Sequence, residues 1–296
     1  MKELIVISGK GGTGKTSLSA AFCHLAHSSV CADCDVDAAD LHLILNPQIE
    51  QSHTFSSGHE AIIRQEACTA CGLCEKYCTF DAISQDENGA FHVDAYACEG
   101  CKVCVEFCPA QAIDFPEAEC GVWHTSTTRF GSMVHARLHI GAENSGKLVS
   151  LIRREARAMA EAENAELVIV DGPPGIGCPV IASITGADGV LIVTEPSVSG
   201  AHDFERVAQL CAHFNIPAYL CINKYDINPD LGDSICAEAA RYEIPALGKI
   251  HFDPAFTAAQ IQCQCVTEYT SPGAGAETIA AQVRKLWNTL EKRINI

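Results

Sequence analysis

A glycine-rich segment that directly follows an apolar run near the amino terminus constrains the fold more than any other feature. Residues 4–7, Leu-Ile-Val-Ile, predict a buried strand, and residues 9–16, Gly-Lys-Gly-Gly-Thr-Gly-Lys-Thr, fit the pattern G-x-x-x-x-G-K-[ST]. A helical stretch from residue 16 to about residue 27 follows. A strand, this loop and a helix in that order predict a phosphate-binding loop; a glycine-rich turn that binds nothing is the alternative.

The residues of this loop have separate roles in the predicted site. Its glycines let successive backbone N–H groups close on phosphate oxygens, and the N-terminus of the helix favours negative charge. Lys15 is expected to reach the outer phosphates, and the Thr16 hydroxyl to ligate Mg²⁺. The predicted nucleotide-binding residues of the loop are Gly9, Gly11, Gly12, Thr13, Gly14, Lys15, Thr16 and Ser17.

Strands and helices alternate along most of the chain. Apolar runs predict buried parallel strands at residues 30–32, 167–170, 190–193, 219–222 and 247–250. Helical stretches are predicted between several of them, at residues 148–162, 202–213 and 233–242. The alternation predicts a doubly wound, mostly parallel α/β sheet with helices on both faces, formed by residues 1–58 and 118–296.

Acidic residues follow two of the predicted strands, at the edge where parallel strands converge on a phosphate loop. Asp171 is the predicted Walker B acid, which holds Mg²⁺ directly or through water; a helix or turn cap is the alternative. Asp35 is predicted to position the attacking water. Three nearby carboxylates compete with Asp35 for that role: Asp33, Asp37 and Asp40.

A polar pair, Asn223 and Lys224, follows another predicted strand. The amide of Asn223 either contacts the edge of a nucleotide base or only forms a turn, since asparagine is common in turns. Both residues are candidates for nucleotide binding.

Two runs of four cysteines with the same spacing, C-x2-C-x2-C-x3-C, interrupt the alternation of strands and helices. This is the bacterial ferredoxin pattern, in which three thiolates of a run bind one 4Fe-4S cluster and the fourth binds the other cluster. The competing metal, zinc, is held by separated four-ligand knuckles. The predicted ligand sets are Cys68, Cys71, Cys74 and Cys108 for one cluster and Cys98, Cys101, Cys104 and Cys78 for the other.

The cysteine runs also belong to an internal repeat, residues 68–83 and 98–113, each ending in Ala-Ile. Residues 59–117 are therefore predicted to form an inserted small α+β ferredoxin domain with two 4Fe-4S clusters. Thr79 stands where proline closes the second run, a difference that is expected to change the surroundings of one cluster without removing a ligand.

Composition narrows the function classes. The formal net charge of −17 argues against nucleic acid as a partner, since its binding needs a basic surface. No apolar stretch approaches the roughly 18 residues of a membrane span, and the first strand leaves no room for a signal peptide. Of eighteen cysteines, eight are assigned to clusters, and the remaining ten show no disulfide framework. A cytoplasmic protein with reduced thiols is expected.

These residues resemble the deviant-Walker-A ATPases, which include MinD, ParA, Mrp and the nitrogenase iron protein. The residue that carries this resemblance is Lys10, the extra lysine of Gly-Lys-Gly-Gly. More narrowly, the chain resembles MinD-type ATPases with an inserted ferredoxin domain. That resemblance rests on residues 33–38, Trp123, 128–131, 133–138, 143–147, 171–179 and 223–226.

The resemblance implies a homodimer, or a heterodimer with a similar ATPase, that uses ATP and Mg²⁺. It also implies that Lys10 acts on the phosphates of the partner, that Asp35 and Asp171 are switch residues, and that Asn223 lies near the adenine. Asp40 stands where asparagine is usual in the family, which is a departure from the pattern.

Several further candidates have plainer alternatives. Cys178 lies seven residues after Asp171 and is either a bridging thiol in the dimer or a small buried thiol. Cys120, His124, His135 and His139 lie in a segment predicted to be a long loop or a switch region, where solvated loop histidines are favoured over a metal site. Cys263 and Cys265 lack the spacing of a ligand pair.

The apolar spacing of residues 279–294 predicts either a terminal helix packed on the sheet, which is favoured, or a membrane-binding tail.

Three functions are compatible with this sequence. The leading hypothesis is an ATPase whose dimer switch is coupled to electron transfer through the clusters to a partner protein. The second is an ATP-gated carrier or scaffold for assembly of Fe-S or metal cofactors, which delivers to an accepting protein. The third is a spatial organiser similar to MinD.

Overall fold

The computed structural model describes residues 1–139, 141–142, 144–270 and 278–295. Glu143, which is part of the family pattern, lies outside the described residues. The chain divides into two compact units. Unit 1 comprises Met1–His53, Trp123–Arg137 and Ser145–Ile296, and unit 2 comprises Thr54–Val122 and Leu138–Asn144.

The strands and helices are numbered in chain order. The strands are β1 (Lys2–Ser8), β2 (Ser29–Asp33), β3 (Gln48–His59), β4 (Ile62–Ile63), β5 (Ile83–Gln85), β6 (Phe91–Val93), β7 (Ile113–Asp114), β8 (Glu117–Thr128), β9 (Gly131–Leu138), β10 (Leu167–Pro174), β11 (Gly189–Thr194), β12 (Ala218–Asn223) and β13 (Ala246–Ile250). The helices are α1 (Lys15–Leu25), α2 (Leu41–Leu45), α3 (Leu73–Tyr77), α4 (Val103–Glu106), α5 (Ser145–Glu163), α6 (Cys178–Ile184), α7 (Val198–His213), α8 (Pro229–Arg241), α9 (Ala255–Ile261) and α10 (Ile279–Ile294).

A mostly parallel sheet organises unit 1. Its strand order is β13-β12-β11-β1-β10-β2-β9-β8-β3, and every neighbouring pair from β13 to β9 is parallel. Strands β2, β11 and β12 are buried along their whole length, because their continuous apolar runs are covered on both faces. The predicted mostly parallel α/β sheet with helices is confirmed, and the predicted strands at 30–32, 167–170, 190–193, 219–222 and 247–250 all lie in it.

Helix α10 completes the core of unit 1. Its apolar positions are buried, and the Trp287 ring lies 5.1 Å from the Phe22 ring of α1, measured between centroids. This packing is what the favoured prediction for residues 279–294, a terminal helix packed on the sheet, describes. Because its apolar positions are buried, the helix has no apolar face left for a membrane surface. Among the described residues, no helix has both the length and the apolar character that crossing a membrane requires.

Two expectations about unit 1 are wrong. The segment predicted to be a long loop forms most of β8 and β9, because its threonines, valines and aromatic residues favour extended backbone and β9 pairs with β2. The ten cysteines outside the two runs were expected to be reduced, yet Cys23 and Cys31 form a disulfide. Helix α1 brings Cys23 next to β2, with 6.5 Å between the two Cα atoms.

Unit 2 is a small α+β unit. Strands β4 and β7 pair antiparallel, as do β5 and β6, and the short helices α3 and α4 contact each other. Its core contains Ala61, Ile83, Phe91, Cys104 and Ile113. The repeat seen in the sequence thus gives each half one short helix and one short strand. The assignment of residues 59–117 as a ferredoxin domain stays a prediction.

Candidate functional site

The phosphate loop connects the buried strand β1 to helix α1. Gly12 and Gly14 have φ values of 77° and 94°, in the left-handed region that favours glycine. A Cβ atom on Gly14 would lie 2.3 Å from Nδ2 of Asn223, so this position also requires the absence of a side chain. The hydroxyl oxygen of Thr13 is buried and has no hydrogen-bond partner among the described residues, which suits a site completed by a polar ligand.

Lys15 and Asp171 form the centre of the site. Lys15 is the first residue of α1, and its Nζ lies 3.0 Å from Oδ2 of Asp171, near the carboxyl end of β10. The Thr16 hydroxyl donates to the same carboxylate oxygen at 2.7 Å, and the Ser19 hydroxyl donates to Oδ1 at 2.7 Å. Asp171 has no solvent exposure. The predicted Mg²⁺ residues, Thr16 and Asp171, are therefore in direct contact.

Asp35 lies on the other side of Lys15. Its Oδ2 is 3.2 Å from the Lys15 ammonium. Burial raises the pKa of Asp35, and Lys15 opposes that rise. Burial alone would lower the pKa of Lys15, but the carboxylates of Asp171, Asp35 and Asp33 outweigh it and raise that pKa. One buried cation is thus the shared counter-charge of several buried carboxylates.

The rivals of Asp35 are placed differently. Asp33 is fully buried, and its carboxylate accepts the backbone N–H groups of Asp35 and Leu41, both at 3.2 Å. Burial and then the nearby Asp171 raise the pKa of Asp33 well above its usual range. Asp37 and Asp40 are exposed. Among these four carboxylates, Asp35 is the one that forms an ion pair with Lys15, which favours it for positioning water.

The other predicted loop partners contact the loop backbone. Nδ2 of Asn223 donates to the carbonyl oxygen of Thr13 at 2.8 Å, and Nζ of Lys224 donates to the carbonyl oxygen of Gly12 at 3.0 Å. The end of β12 therefore braces the phosphate loop.

Sequence reasoning missed Glu195. Its carboxylate binds the ammonium groups of Lys10 at 2.6 Å and of Lys224 at 2.9 Å. The available signal was its position directly after β11, at the same edge of the sheet as Asp171 and Asn223.

Each of the two predicted cysteine ligand sets lines one cavity of unit 2. The first cavity is lined by the thiols of Cys68, Cys71, Cys74 and Cys108, together with apolar residues that include Ile63, Phe91 and Ile113. The second is lined by Cys78, Cys98, Cys101 and Cys104, with Phe80, Ile83 and Phe115 among its other residues. The fourth cysteine of each run thus lies with the first three of the other run.

No group of three or more His, Cys, Asp or Glu side chains within the described ranges is arranged to hold a single metal ion. A 4Fe-4S cluster differs from a single ion, because each of its four thiolates binds a different iron and the sulfur atoms do not converge on one point. Four cysteines around a mostly apolar cavity match the donor set that such a cluster requires.

The remaining candidates do not form one site. Cys178 begins α6 and is exposed, so the expectation of a buried thiol there is wrong. Cys120 and His139 belong to unit 2, and His124 and His135 to unit 1. His135 is not a solvated loop residue, because it lies buried on β9 with Nε2 2.9 Å from the Ser126 hydroxyl. Cys263 is exposed, whereas Cys265 is buried.

A phosphate loop between a parallel strand and a helix, with a lysine, a threonine and two carboxylates converging at its end, defines a P-loop nucleotide-binding protein. The family model of the CobQ/CobB/MinD/ParA nucleotide binding domain matches residues 4–263. The chain belongs to this family.

Two curated relatives from Methanocaldococcus jannaschii match most of the chain. Uncharacterized protein MJ0578 is 33% identical over 230 residues, which cover 76% of this chain and 79% of that protein. Uncharacterized protein MJ0579 is 26% identical over 260 residues, which cover 77% of this chain and 83% of that protein. Neither name states an activity.

Solved structures share the fold. The cell division ATPase MinD of Pyrococcus furiosus superposes with a TM-score of 0.57 at 16% identity and covers 99% of both chains. MinD of Pyrococcus horikoshii in complex with Mg-ADP also has a TM-score of 0.57, at 15% identity, over 99% of this chain and 96% of that chain. A ParA family ATPase from Chlorobium tepidum has a TM-score of 0.54 at 15% identity and covers 98% of both chains. At these identities the likeness establishes the fold alone.

Proposed function

We propose that this protein is a Mg²⁺-dependent ATPase in which ATP closes a dimer, and that the closure is coupled to electron transfer through two 4Fe-4S clusters in unit 2 to a partner protein. The observation that carries the proposal is the sorting of eight cysteines into two four-thiol cavities, in a chain that belongs to a nucleotide-binding family. The proposed protein is a cytoplasmic homodimer, or a heterodimer with a similar ATPase, that binds no nucleic acid.

The nucleotide site supports ATP hydrolysis through four residues. Lys15 would bind the outer phosphates after it leaves Asp35 and Asp171, with which it forms ion pairs, and Thr16 and Asp171, which contact each other, would hold Mg²⁺. Asp35 then becomes free to orient the attacking water. MinD from Pyrococcus horikoshii, which shares the fold, was solved with Mg-ADP. Lys10 completes the proposed site by reaching the phosphates bound to the other protomer.

The cysteine cavities support the redox part of the proposal. Cys68, Cys71, Cys74 and Cys108 would hold one 4Fe-4S cluster, and Cys98, Cys101, Cys104 and Cys78 the other. Such clusters take up and release single electrons. Apolar side chains such as Phe91 and Phe115 line the same cavities. Hydrogen bonds to the thiolates and solvent exposure set the reduction potential.

The decisive experiment measures iron and reduction potentials on the anaerobically prepared protein. About eight irons per chain are expected, since two four-iron clusters are proposed. EPR titration with ADP and with a non-hydrolysable ATP analogue should give potentials that differ by about 59 mV or more, which is a tenfold change in a one-electron equilibrium. A Lys15→Met variant is the control and should show no difference. Protein that binds no iron under these conditions would refute the redox proposal.

A second function, the delivery of Fe-S or metal cofactors, is favoured by one observation. Cys71 and Cys101, one proposed ligand of each cluster, are exposed and therefore open to attack by an acceptor thiol. If the protein is a carrier, ATP should speed the movement of labelled iron onto an apo-protein acceptor. If the clusters are fixed redox centres, the label should stay with this chain through many rounds of hydrolysis.

A spatial organiser similar to MinD is the third candidate and rests on fold alone. Its membrane-binding tail has no support, because the apolar side of α10 is packed in the core. Failure of the intact protein to sediment with anionic vesicles in the presence of ATP would remove this candidate.

A further inference from the structure

The contacts of Lys10 point to a regulatory residue in the nucleotide site. A lysine ammonium has three protons to donate. Nζ of Lys10 lies 2.6 Å from Oε1 of Glu195, 3.2 Å from the Ser197 hydroxyl and 2.9 Å from the Ser199 hydroxyl. All three protons have acceptors, so Lys10 must give up one of these contacts before it can bind a phosphate.

Glu195 is the charged member of these acceptors, and it binds a second lysine as well. Its Oε2 accepts from Nζ of Lys224 at 2.9 Å, and Lys224 also donates to the carbonyl oxygen of Gly12. One carboxylate therefore connects Lys10, at the start of the phosphate loop, to a lysine that braces the middle of that loop. The side chains of Glu195 and Lys10 are 20% and 30% exposed, so solvent screens the pair only in part.

The backbone that follows Glu195 forms a packed turn at the start of α7. The Ser197 hydroxyl accepts the backbone N–H of Gly200 at 3.0 Å and so caps α7. A Cβ atom on Gly200 would lie 2.3 Å from the carbonyl oxygen of Glu195, which shows how tightly this turn is packed. Lys10 thus binds an anchored group, and the long lysine side chain is the part that is free to move.

We propose that Glu195 is a positioning residue that holds Lys10 in a retracted position until ATP-driven dimer closure provides a competing phosphate. This inference rests on the proposed function, in which Lys10 reaches the nucleotide of the other protomer. Together, Lys10, Glu195, Ser197 and Ser199 form what we call the lysine clasp. Two clasps open for each dimer formed, so the strength of the clasp sets the ATP concentration at which the dimer closes.

The clasp is tested directly by the reactivity of the Lys10 amine. Nucleotide-free protein is acetylated with a limiting amine reagent, and the rate at Lys10 is compared by mass spectrometry with that at Lys285, an exposed lysine of α10. Lys10 should react more slowly than Lys285. Glu195→Gln, which keeps the shape but removes the charge, should raise the Lys10 rate roughly three- to tenfold, the equivalent of a partly exposed ion pair. Ser199→Ala should raise it less.

The matched control is Glu238→Gln, which removes another half-buried glutamate from an ion pair, on α8, and should leave Lys10 unchanged. Equal acetylation rates at Lys10 and Lys285 in the wild type, or no response to Glu195→Gln, would overturn the clasp. This measurement needs no ATP, so it tests the clasp even if the proposed ATPase activity fails.

The role of the clasp is tested by sedimentation of the protein with Mg²⁺ and a non-hydrolysable ATP analogue. Because two clasps open per dimer, Glu195→Gln should lower the dimer dissociation constant by roughly ten- to a hundredfold. An unchanged or weaker dimer in this variant would overturn the regulatory role. A wild-type protein with a slow Lys10 amine that forms no ATP-dependent dimer would instead refute the proposed dimer switch and, with it, the role of Glu195.

Discussion

Loss of the Lys15 charge should destabilise unit 1 in the absence of nucleotide. Lys15 is 5% exposed and is the shared counter-charge of Asp35 and Asp171, which are 8% and 0% exposed. Removing one partner of a buried ion pair costs roughly 3–5 kcal/mol, because a buried charge is left uncompensated. We therefore expect Lys15→Met, which keeps most of the side-chain volume, to lower the free energy of unfolding by roughly that amount at pH 8.

The loss of stability in Lys15→Met should be smaller at low pH than at high pH. Lys15 lowers the pKa of Asp35 and of Asp33, so the variant should have still higher pKa values at these carboxyls in the folded protein. A carboxyl whose folded pKa lies above its unfolded pKa favours folding at low pH, and that stabilisation is lost as pH rises. The deficit of the variant should therefore shrink on acidification, by at most about 1.4 kcal/mol per pH unit for each carboxyl that takes up a proton.

Urea unfolding followed by tryptophan fluorescence measures this effect, because Trp123 and Trp287 both belong to unit 1. The matched control is Lys2→Met, which removes an ion pair with Asp188 whose side chains are 42% and 35% exposed and should cost less than about 1 kcal/mol. If Lys15→Met were no less stable than Lys2→Met at pH 8, or equally destabilised at pH 8 and pH 5, the view of Lys15 as a buried counter-charge would be wrong.

Three further predictions concern other parts of the molecule. Cys108→Ser should disturb the cluster assigned to Cys68, Cys71 and Cys74 and spare the other, as judged by EPR and iron content, whereas Cys236→Ser should change neither. Gly14→Ala should abolish nucleotide binding, as measured by calorimetry, and should lower the free energy of unfolding more than Gly186→Ala does. Both glycines have positive φ, but of the two only Gly14 would bring a Cβ close to another atom, at 2.3 Å. Burial, and then the nearby His124 and His42, lower the pKa of His135 to about 4. The free energy of unfolding of unit 1 should therefore fall by up to roughly 3 kcal/mol as the pH falls from 6.5 to 4. In His135→Gln, urea titrations should show a smaller change in this free energy over the same pH range.

The central fold was predictable because its signals are local. Continuous apolar runs such as Leu167 to Val170 specify strands buried on both faces, and the glycine pattern from Gly9 to Gly14 specifies the loop between β1 and α1. The segment containing β8 and β9 was mispredicted because its serines and threonines suit loops as well as strands. Its extended backbone depends on the pairing of β9 with β2, which is a long-range contact.

The candidate site shows the same division between features set by local sequence and features set by long-range contacts. The order of strands places Asp171 and Asn223 at one edge of the sheet, so their approach to the loop could be predicted from the chain alone. Glu195 carries no motif, and its importance depends on which side chains reach it across the loop. The exposure of Cys178 likewise could not be predicted from the neighbouring sequence, because it depends on the position of this residue as the first of α6.

The contacts of the two loop lysines suggest how ATP would change this molecule. Carboxylates of the chain hold both ammonium groups: Asp35 and Asp171 hold Lys15, and Glu195 holds Lys10. In the proposed mechanism, phosphate oxygens would replace these carboxylates, and the replacement would free Asp35 for water and Asp171 for Mg²⁺. A ligand shifts a conformation only by binding its two states unequally.

In the proposed dimer, the terminal phosphate that distinguishes ATP from ADP would compete with Glu195 for the Lys10 of a second protomer. The difference between ADP and ATP would therefore be sensed mainly at Lys10. From Asp35 the chain continues through α2 into β3, within which unit 2 begins at Thr54. The proposed coupling depends on dimer closure, so Glu195→Gln should lower the concentration of the ATP analogue at which the cluster potentials shift and should leave the potentials measured with ADP unchanged.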